Sequence, residues 1–124
     1  MLVDTLGLVL GCVVHAADVQ DRDGVKWVLA QATFDFARLQ ILRADAGYAG
    51  RLVRWTHELC HWSLEIIRRT SRGFVVLPKR WVIERTFAWL GKYRRLSKDY
   101  EVLEASSEAF VYTAMIHIML RRLN

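Results

Sequence analysis

At 124 residues the chain is one domain or part of one, and with 53% hydrophobic residues it can bury a core, which excludes wholesale disorder. A net charge of +5 favours a polyanionic partner, and the charge is segregated: residues 1–35 hold five Asp against Arg22 and Lys26, whereas residues 68–98 hold ten Lys or Arg and one acid, Glu84. Cys12 and Cys60 are the only cysteines, with no C-x-x-C spacing and no secretory signal, so free thiols in a reducing cytosol are expected.

Met1 to Val3 reads as a short strand, Asp4-Thr-Leu-Gly7 as a turn, and Leu8 to Val14 as the second strand of a hairpin. Asp4 interrupts this apolar opening and no basic segment precedes it, so it is not read as an export signal. Asp18 to Asp23 is a polar loop with capping acids. Gly24 to Leu39 is predicted as a helix with Trp27, Ala30, Phe34 and Ala37 on its inner side. Leu39 to Ala44 is a strand ending at Asp45, and Gly47 and Gly50 punctuate the next turn. Arg51 to His61 is a helix with Leu52, Trp55 and Leu59 as its buried stripe. Ser63 to Arg69 is another strand. Ser71-Arg-Gly73 is a turn, Phe74 to Leu77 a brief extended piece, and Pro78 suits the start of a helix because its missing N–H is not needed there.

That helix is predicted from Lys79 to about Arg95, with Glu84 sharing a face with Arg80, Lys92 and Arg95. Ser106 or Ser107 caps a last helix through Leu123, packed by Phe110, Ala114 and Ile118. Its apolar run, Ala109 to Leu120, has 12 residues, short of the ~20 needed to span a bilayer. No membrane segment is expected. The order of elements is an α/β pattern.

Asp45 ends a strand and enters a Gly-Tyr-x-Gly turn. Ligands of open α/β sheets sit outside the carboxyl ends of strands, although an Asp there also serves as an ordinary turn residue. Glu84 with Arg80 makes an i, i+4 pair that alone is worth a few tenths of a kcal/mol. Its setting among Arg85, Lys92, Arg94, Arg95 and Lys98 points instead to a carboxylate that holds a metal while cations hold phosphates. His57-Glu58-Leu-Cys-His61 matches the H-E-x-x-H zinc-peptidase pattern, with Glu65 or Glu84 as conceivable third ligands. His15 and His117 read as core or interface histidines, Cys12 as a small buried hydrophobe, and most tryptophans as core. Trp81, beside Glu84, is read as a DNA-contacting exception.

Four stretches resemble the C-terminal part of bacterial insertion-sequence transposases of the DDE superfamily, in particular the insertion-sequence-five kind. They are Leu2-Val-Asp-Thr-Leu-Gly-Leu, His15 to Gly24, Ala44-Asp-Ala-Gly-Tyr-Ala-Gly50, and Arg80-Trp-Val-Ile-Glu-Arg-Thr-Phe-Ala-Trp-Leu-Gly continuing through Glu101. The resemblance implies a ribonuclease-H-like mixed sheet flanked by helices and an Asp-Asp-Glu triad using Mg²⁺ (or Mn²⁺). It also implies cleavage and joining of double-stranded DNA at transposon ends and target.

By resemblance Asp45 is the second triad acid and Glu84 the third, and Arg80 matches the arginine four residues before that glutamate. Leu77 stands where the broader signature has tyrosine, and Gly91, with Lys92 next, where it has lysine. The family's first Asp, on the central strand of such a sheet, has no equivalent here. Residues 1–124 are therefore expected to be a C-terminal catalytic-domain fragment with an incomplete sheet, inactive by itself, whose exposed strand edges either close hairpin against the Asp45 strand, form a homo-oligomer or leave the chain poorly folded. It is expected to be cytoplasmic and nucleoid-associated, retaining DNA binding through Arg80, Arg85, Lys92, Arg94, Arg95 and Lys98. The alternatives are a non-catalytic DNA-binding or inhibitory transposase remnant, and a zinc peptidase.

Overall fold

The computed structural model describes residues 1–68 and 81–123. Strands β1 (Leu2–Val3) and β2 (Val9–Gly11) pair antiparallel. The turn between them forms because the Asp4 carboxylate accepts from the Leu6 and Leu8 N–H groups, both at 2.8 Å, and because Gly7 adopts φ +83°, a conformation open to glycine. Helix α1 (Asp21–Asp35) follows, with Asp21 and Asp23 in its first turn, where the helix dipole favours acids. Strand β3 (Ile41–Asp45) leads through a 3₁₀ turn (Ala46–Tyr48) into α2 (Arg51–Trp55), whose end widens into a π turn, Thr56–Cys60. His61 closes that turn in the left-handed conformation, and β4 (Ser63–Ile67) runs parallel to β3, from Ile41 opposite Ser63 to Asp45 opposite Ile67. Helix α3 is described over Trp81–Leu90 and α4 over Glu104–Leu123.

The α/β order predicted from the sequence is the order observed. Two cores hold it. Leu29, Ala32, Leu42, Leu52, Trp62 and Leu64 join α1, α2 and the parallel pair. Cys12, Leu90, Val111, Ala114 and Met115 join the hairpin, α3 and α4. Leu2 reaches the first core and Gly11 lies close against Val28, so the hairpin rests on α1. Among the described residues no helix is long and apolar enough to cross a membrane.

Three expectations need correction. The inner face of α1 is Gly24, Val28, Leu29 and Ala32, while Trp27 and Phe34 are 51% and 89% exposed. In the segment after Gly50, Leu52 is buried as expected but Leu59 is 63% exposed, because the π turn puts Thr56 and Cys60 inward instead. Helix α3 stops at Leu90, the Gly91 N–H makes a last bond to the Phe87 carbonyl, and the chain turns through Arg94–Leu96 as a 3₁₀ segment. The helix start, with Pro78, and the expected pieces Ser71–Gly73 and Phe74–Leu77 lie outside the described residues.

Both thiols are free and buried. Burial pushes each above its ordinary value, and at Cys12 the Glu108 carboxylate adds to this while the N-terminal ammonium opposes it. A thiol raised on folding favours the protonated native state. Stability is therefore full below the unfolded thiol value of about 8.5 and falls as pH climbs toward the raised native values. Urea midpoints are expected to drop between about pH 7.5 and 9.5 in the wild type, and to drop less in Cys12→Ala/Cys60→Ala. An equal drop in both proteins would contradict the assignment.

Candidate functional site

Strand pairing to β4 carries Asp45 to the carboxyl end of β3, where it caps the 3₁₀ turn. Its Oδ1 accepts from the Gly47 N–H at 2.9 Å, a turn role that leaves the second oxygen without a partner among the described residues. Arg22, on α1, donates to the Gly47 carbonyl through Nη2 at 3.0 Å and Nε at 3.3 Å, fixing the same turn from outside. The Tyr48 phenol is pushed up, first by burial and then by the Asp21 and Asp45 carboxylates, so these acids share one electrostatic neighbourhood. In the sequence Arg22 and Asp21 read only as polar loop. The signal that could have found them is the Asp21-Arg-Asp23 run itself, which opens a helix rather than filling a loop.

Glu84 is exposed on α3, and that helix is fastened to the hairpin turn. The buried Thr86 hydroxyl donates to the Gly7 carbonyl at 2.8 Å. Arg85 donates through Nη2 to the Leu6 carbonyl at 2.8 Å, and its guanidinium lies 4.5 Å from the Trp81 ring centre and 4.7 Å from that of Trp89. Arg122 from α4 stacks on Trp89 at 4.3 Å. Stacked guanidinium groups of this kind add attraction when partly desolvated. Asp45 ends a strand that packs in the first core and Glu84 lies on a helix that packs in the second, and among the described residues no group of three or more His, Cys, Asp or Glu could hold a metal.

The predicted DNA-binding residues divide. Lys92, Arg94 and Lys98 are exposed in the segment after α3 and have no ion pair among the described residues. Arg95 is drawn back by an ion pair with Glu101 and lies 4.9 Å from the Phe110 ring, while Arg85 is committed to the hairpin. Because α3 ends at Leu90, Lys92 and Arg95 do not share a helix face with Glu84. Arg80 lies outside the described residues. Trp81 remains half exposed, under Arg85.

The H-E-x-x-H histidines are not on an α-helical face. His57 and Glu58 lie in the π turn, His61 has φ 58°, and the conceivable third ligand Glu65 is paired with Arg43 at 3.0 Å. His15 is half-buried between Trp27 and Gly24, as an interface histidine. His117 is exposed, contrary to expectation, and its Nδ1 is 2.9 Å from the Tyr93 hydroxyl.

The chain is 29% identical over 111 residues to a protein of Burkholderia cepacia described as "Putative transposase for insertion sequence element IS402". That alignment covers 82% of this chain and 52% of the relative, so the chain spans about half the relative's length. No solved structure matches. Residues 1–119 match the family described as "Transposase DDE domain", and the chain belongs to that family.

Proposed function

We propose that Asp45 and Glu84 are the second and third acids of a three-carboxylate site in a ribonuclease-H-like fold of the insertion-sequence-five kind. The reaction class is DNA strand cleavage and joining. The observation that carries this reading is the position of Asp45: an acid at the carboxyl end of a parallel strand, in a chain whose residues 1–119 match the transposase DDE domain family. The donor set suits a hard cation such as Mg²⁺ or Mn²⁺, because Asp45 keeps one oxygen free of its turn and Glu84 has no partner among the described residues. When bound, such ions activate a water or 3′-hydroxyl and stabilise the charge of in-line attack on phosphorus. Arg22 and the Gly47 N–H hold the Asp45 turn in place, and Arg85 with Thr86 hold the helix of Glu84. Lys92, Arg94 and Lys98 attract the DNA backbone.

Fe²⁺ placed at the Mg²⁺ site and treated with peroxide and ascorbate cuts the polypeptide beside its ligands, a readout that needs no DNA cleavage. Fragments ending near Asp45 and near Glu84 are expected, competed by excess Mg²⁺ and absent in Asp45→Asn. Cuts beside one acid only, or cuts that survive Asp45→Asn, would overturn the paired assignment.

A further inference from the structure

Beside the parallel strand pair lies an open groove of about 410 Å³, lined by Gly50, Val53, Arg54, His57, Ser63 and Leu64. Of the sequence motifs, only Gly50, at the end of the Ala44–Gly50 stretch, and His57 reach it. Its polar side chains can all donate: the guanidinium of Arg54, which only donates, the imidazole of His57 one turn later, and the hydroxyl of Ser63. No carboxylate lines it, and among the described residues the Arg54 and His57 side chains have neither an ion pair nor a hydrogen bond. Val53 and Leu64 supply an apolar floor. Where a Cβ on Gly50 would point, there is nothing within 4 Å, so the mouth is open at that end.

The groove also has a direction. Gly50 follows Asp45 across the 3₁₀ turn, at the Asp45 end of the sheet, and Ser63 lies at the other end, opposite Ile41. From Ile41 to Asp45 is four steps of strand, or roughly 13 Å at about 3.3 Å each. That is roughly four base steps of duplex DNA at about 3.4 Å each.

We propose that this groove is a seat for the phosphodiester backbone of a DNA strand. Arg54 and His57 donate to one phosphate, Ser63 donates beside them, and the sugar lies against Val53 and Leu64. The proposal rests on the DNA reading above and adds a second contact region, separate from Lys92, Arg94 and Lys98. It would hold the strand several base steps from Asp45.

The test is fluorescence anisotropy with a labelled DNA duplex of arbitrary sequence, titrated with full chain between ~50 and ~200 mM salt. Arg54→Ala/His57→Ala is expected to bind about tenfold more weakly at the low-salt end. Its log–log salt slope should be smaller by about 0.9, the counterion release of one phosphate contact. Both side chains are exposed, so the melting temperature should not move; if it does, Arg54→Gln, which keeps the aliphatic stem, repeats the measurement. A wild-type chain that does not bind DNA overturns the DNA reading and this proposal together. Wild-type binding weakened by Lys92→Ala/Lys98→Ala, but unchanged in affinity and slope by the Arg54 variants, overturns the groove alone.

Discussion

Gly7→Ala is expected to destabilise the chain by about 3 kcal/mol, the sum of left-handed strain and overpacking. Gly7 has φ +83°, and a Cβ there would lie 2.8 Å from Thr86 Oγ1, 3.0 Å from the Trp89 ring and 3.1 Å from Arg85 Nη2. The obstacle is no free side-chain tip. Thr86 is buried and bonded to the Gly7 carbonyl, and Arg85 is stacked between two indoles and bonded to Leu6. Arg85 Nε is already buried with no partner among the described residues, so the guanidinium has little freedom to retreat. The melting temperature should fall by on the order of 10 °C. Gly50→Ala supplies the comparison, since Gly50 has φ +95° but open space around it. It should lose about 1 kcal/mol, from strain alone. Equal losses at the two glycines would show that the hairpin turn is not pressed against α3.

Leu52→Ala should lose about 3 kcal/mol by denaturant titration, whereas Leu59→Ala should stay within about 0.5 kcal/mol. The two leucines are seven residues apart, and the apolar spacing of the sequence puts them on one buried stripe. In the structure Leu52 is 2% exposed within the first core, and Leu59 faces solvent. Between them Thr56 donates its hydroxyl to the Leu52 carbonyl at 2.8 Å, and the π turn then shifts the inward positions to Thr56 and Cys60. A large loss at Leu59 would restore a regular helix through His61 and remove the π turn.

That pair of leucines marks where the sequence stops being legible. The hairpin turn was readable because Asp4 and Gly7 act locally, through their own backbone. The strand ending at Asp45 and its parallel neighbour were readable as apolar runs bounded by turn residues. The inward side of α1 was not, because Trp27 and Phe34 dominate any hydrophobic count, while Gly24 and Ala32 face inward for their small size against close neighbours. The stop at Leu90 was signalled by Gly91, but the basic residues beyond it invited one long helical face. Of the candidate site, Asp45 and Glu84 were legible as residue types in a family pattern. Arg22 and the Arg85 stack were not, since their meaning comes from partners distant in sequence, the Gly47 and Leu6 carbonyls, and Arg54 was not, since only the fold sets it beside His57 and Ser63 in one groove.

Two hydrogen bonds tie the first hairpin to the last helix: the Cys12 N–H to the Tyr112 hydroxyl at 2.9 Å, and the Val14 N–H to the Glu108 carboxylate at 2.8 Å. These partners are 100 and 94 residues apart in sequence, while the βαβ segment from Ile41 to Ile67 closes on itself. During synthesis, at about 5–20 residues per second, that segment can close and the hairpin can settle on α1, while the Cys12 and Val14 N–H groups wait several seconds for α4. Ribosome-bound chains arrested before α4 emerges should therefore leave the Cys12–Val14 end of the hairpin open to protease while the parallel pair is protected, so that sealing of the hairpin waits for α4.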